Sequence, residues 1–545
     1  MAIVTLNKKQ FEKEIGKFDD KMEEKIALFG TPIDKVTNEE LQIEIFPNRP
    51  DLLSYHGFKR AFLAFLEKKT GLVQYKINKS NYKVIVDPSL KDIRPYTTCV
   101  VIKDIKLDSE KIKELIEIQE KLHLTLGRKR RKLAMGIYPL EKIKFPITFK
   151  ALEPDKIKFI PLESDKEMSG LEILQKHPTG KEYASLLSGK AKFPIFIDSE
   201  DKILSMPPII NSKTTGRVTE KTKDIFVECS GFDPNILEKC LNILVAALAD
   251  MGGEIYEVEV SYGKDKKIFP NFETEKRPIS IENVNKLLGL DLKENDVKKL
   301  LEKMGYNSNK NIVEIPPWRI DILHEVDLIE DVAIAYGYEK LIPEIPEIST
   351  IGQEDPKEVI KRKISEILTG LDMQEISNYH LTTLKDQFEK MGINEKSKYI
   401  PVENSKTDYN ILRENLTHYS LKTFSENIKN DFPQRIFEVG KIFKYGENIK
   451  EENSLSIATS PNNFTEIKQI LNYLSKMLDL KISFREPKEF PNYFIEGRVA
   501  EIILEDEKIG FAGEIHPKIL KNWKIRMPVA LSEINLDKII KKLNN

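Results

Sequence analysis

The chain has 545 residues, of which 40% are apolar and 32% charged, and its formal net charge is -1. This composition gives several domains with buried cores, and it excludes a disordered chain and a uniformly basic nucleic-acid binder. Its three cysteines have no metal-type spacing and give no disulfide framework, so a reducing cytoplasm is the expected setting. No apolar run approaches the roughly 20 residues of a membrane span, and no charged-then-apolar leader opens the chain. Residues 1–75 read as a first module: a helix, a short strand pair, a Pro-bounded turn and a helix stopped by Gly71.

Residues 76–265 change to short alternating strands, such as TTCVVIKDI, FPIFIDS and DIFVECSG, with amphipathic helices ended by Gly127 and Gly252. An α+β domain is expected here. Arg128, Lys129, Arg130, Arg131 and Lys132 form a basic run, read either as a solvated face or as a contact for RNA phosphates. The stretch MPPIINSKTTGRVTEKTKDIFVECSG is denser in hydroxyls and amides than its surroundings. Ser205, Asn211, Ser212, Thr214, Thr215, Thr219, Thr222, Glu228 and Ser230 lie in it, around Gly216. Such residues form turns, and equally they line a polar pocket that reads hydroxyls on a ligand. This stretch holds no Ser/His/Asp or Cys/His set; His177 and Cys229 are unpaired and read as structural.

Residues 268–346 contain IPPWRIDILHEVDLIEDVAIAYGY. Val326, Ile329, Ala333 and Tyr336 fall on one helical stripe, with Asp327, Glu330 and Asp331 on the neighbouring face. With Asp321 just upstream, these carboxylates form either a solvated acidic face, Asp321 capping the helix, or a site for a hard cation such as Mg2+. An internal repeat bears on the choice. Aligned without a gap against IEIFPNRPDLLSYHGFKRAFLAF, Pro47 meets Pro317, Arg49 meets Arg319 and Asp51 meets Asp321. Asp327, Glu330 and Asp331 are met by Gly57, Arg60 and Ala61. The shared Pro, Arg and first Asp therefore read as a frame of turn, ion pair and helix cap. The added carboxylates are not needed for the module to fold, which favours a metal site at Asp321, Asp327, Glu330 and Asp331.

Residues 350–545 alternate long helices with strands: DPKEVIKRKISEILTG and FTEIKQILNYLSKMLDL are helical, QRIFEVGKIFKYG reads as a strand hairpin, and RVAEIILEDEKIGFAGEIHPKIL as two strands. Helices against an antiparallel sheet are expected.

NRPDLLSYHGFKRAF, PPIINSKTTGRVTEKTKDIFVECSG, the carboxylate module and FAGEIHP occur here in the order found in one family. The chain resembles the beta subunit of archaeal/eukaryotic-type phenylalanine–tRNA ligase over nearly its whole length. The resemblance implies an α+β multidomain fold: a duplicated small α/β module, an α+β editing domain and a C-terminal class II synthetase-like antiparallel sheet with helices. It implies that the middle domain hydrolyses tyrosine mischarged onto tRNA(Phe). Ser205, Asn211, Thr215, Glu228 and Ser230 are the candidates for that pocket. It places Asp321, Asp327, Glu330 and Asp331 at the family's Mg2+ ligands, against the alpha subunit. It implies a cytoplasmic tetramer of two alpha and two beta chains, with ATP and phenylalanine bound by alpha. The C-terminal domain keeps Arg435 and Arg498 but no GxGxxR-type element, so aminoacylation falls to the partner.

Two readings compete. A Mg2+-dependent phosphohydrolase built on the four carboxylates lacks a Lys/Arg clamp beside them. A non-enzymatic RNA-binding scaffold leaves the hydroxyl-rich pocket without a purpose.

Overall fold

The computed structural model describes residues 2–393 and 398–544. It divides into two units, one ending at Ile345 and one beginning at Pro346. No helix among the described residues is long and apolar enough to cross a membrane.

The first unit opens with a three-stranded sheet of Ala2–Asn7, Ile33–Val36 and Glu40–Ile45, the last of these in the middle. Helices Lys8–Glu14 and Asp20–Leu28 connect its first two strands, and the side chains of Asn7 and Asp19 accept from their first-turn N–H groups. Tyr55–Phe65 follows, capped by Ser54. Phe11, Phe29, Phe58 and Phe62 fill the core beneath, with the Phe58 and Phe62 rings stacked at 5.1 Å. Further along the chain the same plan recurs. Strands Glu275–Pro278, Asn307–Asn309 and Ile312–Ile315 again pair with the last in the middle, and helices Ile281–Leu288, Glu294–Lys303 and Glu325–Tyr336 match the other three.

Two details of the repeat differ from expectation. The helices are capped by Ser54 and His324, not by Asp51 and Asp321, because Arg49 and Arg319 already hold those aspartates. The Glu325–Tyr336 helix buries Ile329 and Ala333 of the expected stripe together with Leu328, Val332 and Ala335, while Val326 is exposed. Its buried face is rotated toward Asp331, since that carboxylate finds partners inside.

Between the two modules runs a ten-stranded mixed sheet. Ile77–Val86 pairs in parallel with both Glu254–Tyr262 and Ile147–Leu152, and the remaining pairings are antiparallel. Helix Pro234–Asp250 lies between strands Tyr96–Lys103 and Ile225–Gly231 and helix Tyr55–Phe65. That position explains why it is apolar on almost every side, from Leu237 to Leu248. Strand Ile225–Gly231 is buried throughout, with Tyr96–Lys103 on one side and Leu133–Pro139 on the other. At one edge, Ile203–Met206 and Ile210–Asn211 form a tight hairpin across Pro207-Pro208.

The second unit is a seven-stranded sheet, antiparallel except where Gln374–Glu375 joins Gln434–Lys444. Alternate residues of each strand serve two cores. Phe437 and Ile457 pack with helices Pro356–Thr369 and Phe464–Met477, while Ile436 and Ala458 pack with Leu421, Phe424 and Trp523. QRIFEVGKIFK is one strand paired with Lys450–Ser460, not a hairpin in itself. Gly440 is no turn: a Cβ there would stand 2.4 Å from the Arg413 guanidinium, which crosses the strand.

Candidate functional site

Strand alternation puts Glu228 and Ser230 on one side of the buried Ile225–Gly231 strand and Cys229 on the other. Glu228 reaches a cavity of about 370 Å³ formed by helix Ser109–Leu124, strand Leu133–Pro139 and the 207–218 segment. The hydroxyl of Tyr138, also buried, stands 2.7 Å from Ser205 Oγ and 3.3 Å from Glu228 Oε1, within hydrogen-bond reach of both. The second oxygen, Oε2, is buried and has no hydrogen-bond partner among the described residues. Burial pushes the Glu228 carboxyl up to about 8, against the opposing pull of Arg94, so it is largely protonated at neutral pH. Gly136 faces Glu228 across the ladder; a Cβ there would lie 2.6 Å from Glu228 Oε1 and 2.1 Å from the Tyr138 hydroxyl. Only a glycine leaves room for this pair.

The five residues expected in a pocket divide by role. Glu228 and Asn211 line the cavity. Ser205 is buried behind Tyr138 and fixes its hydroxyl. Thr215 donates back to the carbonyls of Ile203 and Leu204, a local structural bond. Ser230 holds Arg94, whose Nε donates to its hydroxyl at 3.0 Å.

The cavity is also lined by Glu120 and His123, which sequence reasoning passed over, and by Arg130 of the basic run. His123 Nε2 accepts the Met135 N–H at 2.8 Å, so its proton sits on Nδ1, toward Glu120 Oε1 at 3.2 Å. Burial holds this imidazole below its usual range, hence neutral. Arg130 donates to the same Glu120 oxygen at 2.7 Å and to the Ile209 carbonyl at 2.9 Å. Arg128, Lys129 and Arg130 have φ of 45°, 55° and 63°, a left-handed turn that folds Arg130 inward and leaves its basic neighbours in solvent. An i, i+3 Glu-His pair on a predicted helix was the available signal. His177 is buried elsewhere, its Nε2 against the Leu162 carbonyl.

The four carboxylates of the second module are drawn together unevenly. Arg319, itself buried, forks onto Asp321 at 2.8 and 2.7 Å and reaches Asp331 at 2.7 Å; the Tyr306 hydroxyl also donates to Asp331. Asp327 Oδ2 accepts the N–H groups of Leu323 and His324, both at 2.7 Å. Glu330 alone is exposed, and its carboxyl is raised first by partial burial and then by the charges of Asp331, Asp327 and Asp321. The donors are all oxygen and the negative charge exceeds what Arg319 offsets, which suits a hard cation. Their arrangement does not: among the described residues no group of three or more His, Cys, Asp and Glu is gathered to hold a metal ion.

In the second unit, Arg413 and Glu438 form a buried pair at 2.6 Å, with Asn378 holding the other Glu438 oxygen at 2.8 Å. Arg435 pairs with Glu466 and Arg498 with Glu514, each at 2.7 Å.

The chain is 39% identical over 547 residues to the phenylalanine–tRNA ligase beta subunit of Archaeoglobus fulgidus, covering 98% of both proteins. It belongs to the phenylalanine–tRNA ligase beta subunit family. The beta subunit of Thermococcus sibiricus is 40% identical over 501 residues, covering 90% of this chain and 89% of that one. Within this beta-subunit chain, residues 101–244 match the B3/4 domain model, and every residue that lines the cavity falls within them. Residues 278–338 match the tRNA synthetase B5 domain, which contains the four carboxylates. Residues 342–536 match the phenylalanyl tRNA synthetase beta chain CLM domain. An N-terminal fragment of the beta subunit from Pyrococcus horikoshii superposes with a TM-score of 0.59 at 38% identity, covering 62% of this chain and 99% of the fragment.

Proposed function

We propose that this beta subunit hydrolyses the ester of tyrosine mischarged onto tRNA(Phe), in the cavity around Glu228. Charging with phenylalanine from ATP then takes place on an alpha subunit, in a cytoplasmic assembly of two alpha and two beta chains. The observation that carries the proposal is the partnerless, buried Oε2 of a largely neutral Glu228.

An apolar pocket for phenylalanine cannot strongly reject an isostere that adds one hydroxyl, so a second site must bind that hydroxyl positively. A protonated Glu228 can both donate to and accept from a phenol. Phenylalanine would leave the carboxyl unpaired, and this penalty spares the correct product. His123 has its acceptor nitrogen occupied by Met135 and Glu228 carries its own proton, so neither is a free general base. The ester is activated, and an oriented water with N–H donors suffices for its hydrolysis.

A Mg2+ ion is proposed to be held by Asp321, Asp327, Glu330 and Asp331, whose oxygen donors and excess negative charge suit a hard cation once they are gathered more closely than they are here. It would brace the module against the alpha subunit and supply no chemistry to the cavity.

The test expresses the chain with and without an alpha subunit and assays charging and tyrosyl-tRNA hydrolysis. Charging only with alpha, and hydrolysis in the complex, is expected. Hydrolysis absent from both preparations overturns the editing assignment.

A further inference from the structure

The two copies of the repeat meet along a seam. The N–H groups of Gly71 and Leu72 donate to the Glu302 carbonyl and to Asn307 Oδ1, at 2.7 and 3.1 Å. Arg60, on helix Tyr55–Phe65, lays its guanidinium over the Trp318 ring of the other copy, 4.5 Å from the ring centre. A cavity of about 20 Å³ lies in this seam, with Arg49, Asp51, Arg60, Ala61 and Arg319 in its wall. It has room for one water-sized or monatomic species.

The wall is rich in donors and poor in acceptors. The three arginine side chains are at most 10% exposed. Asp51 already engages both of its oxygens with Arg49, through Nε and Nη2 at 2.9 Å each. Arg60 uses Nη1 for Asp250 and Tyr75, and Arg319 uses Nε and Nη2 for Asp321 and Asp331. Nε and Nη2 of Arg60 and Nη1 of Arg319 remain, buried and without a hydrogen-bond partner among the described residues. The charge of Arg319 opposes that of Arg49, and all three guanidiniums act on Asp51, as groups around one space do. A water there must also donate, into a wall whose one carboxylate is engaged, whereas an anion only accepts.

The repeat shows which charge is missing. Arg319 carries two carboxylates, Asp321 and Asp331, while Arg49 carries Asp51 alone. The counterpart of Asp331 in the first copy is Ala61, and Ala61 stands in the cavity wall with Arg49. The counterpart of Glu330 is Arg60, so the first copy has a base where the second has an acid.

We propose that this cavity binds one monatomic anion, chloride, between Arg49, Arg60 and Arg319. The ion does for Arg49 what the Asp331 carboxylate does for Arg319, and it holds the two modules together across their seam.

The experiment crystallises the alpha–beta complex with bromide in place of chloride and locates the bromide by anomalous scattering. A peak bounded by Arg49, Arg60 and Arg319 is expected; bromide found on the surface and not here would overturn the proposal. In solution, Tm is followed as chloride replaces gluconate at constant ionic strength. Wild type should gain roughly 2 °C for each tenfold rise in chloride above its Kd, since the ion binds the folded chain alone. Ala61→Asp supplies a tethered carboxylate in the ion's place, as the second copy does, and should lose this dependence. A chloride dependence equal in Ala61→Asp and wild type would overturn the site. Should Ala61→Asp fail to fold, the bromide map of the wild type decides alone.

Discussion

Tyr138 and Glu228 share one hydrogen bond of 3.3 Å, and it engages only one of the two Glu228 oxygens. The other is left buried without a partner, which costs about 1–3 kcal/mol for a polar group of this kind.

The pair depends on the missing side chain at position 136. Gly136→Ala puts a methyl group within 2.6 Å of Glu228 Oε1 and 2.1 Å of the Tyr138 hydroxyl. Hydrolysis of tyrosyl-tRNA should fall at least tenfold, by displacement of Glu228, while charging in the alpha–beta complex stays at the wild-type rate. Parallel assays of the two activities check this, and undiminished hydrolysis would show that the close approach is unimportant.

Glu228 also makes stability depend on pH. Its carboxyl titrates near 8 when folded and near the ordinary 4.5 when unfolded, with burial as the main cause. Between those values the folded chain keeps a proton that the unfolded chain releases, so stability falls as pH rises, by up to about 1.4 kcal/mol per pH unit. Glu228→Gln has no proton to lose. Its Tm relative to wild type should be lowest near pH 4.5 and rise to a plateau above pH 8. A Tm difference constant across that window would contradict the assigned protonation state.

In the two modules, Arg49 and Arg319 fork onto Asp51 and Asp321 in the same way, but Arg319 also carries Asp331. Arg319→Met strands two carboxylates and Arg49→Met strands one. Breaking a buried ion pair from one side costs about 3–5 kcal/mol. Denaturation of the variants should place Arg319→Met well below Arg49→Met; equal losses would make the Asp331 contact incidental.

Metal content tests the remaining carboxylates. Glu330→Gln with Asp327→Asn should lower the Mg2+ that copurifies with the alpha–beta complex, without the unfolding expected of Arg319→Met. Unaltered Mg2+ by elemental analysis would remove these residues from any metal site.

How far the sequence carried these conclusions depended on the distance between partners. The Arg49–Asp51 and Arg319–Asp321 pairs are two residues apart, and the gapless repeat made both readable. Asp331 was readable as a carboxylate but not as a buried one, since Tyr306 lies 25 residues upstream. Tyr138 and Arg94 meet the Glu228 strand across 90 and 136 residues, and no spacing rule reaches so far. Arg130 was hidden inside a basic run that is otherwise exposed, and only the left-handed turn sets it apart. QRIFEVGKIFKYG reads as a hairpin because a glycine lies inside it, and only the fold shows that Gly440 makes room for the Arg413 guanidinium.

The central claim is that the neutral Glu228 carboxyl recognises the phenol of a mischarged tyrosine. It is tested most directly by tyrosyl-tRNA(Phe) hydrolysis with the alpha–beta complex carrying wild-type Glu228, Glu228→Ala or Glu228→Gln. Hydrolysis should be lost in Glu228→Ala and largely kept at neutral pH in Glu228→Gln, whose amide also donates and accepts, with phenylalanine charging equal in all three. Wild-type hydrolysis by Glu228→Ala would contradict the account.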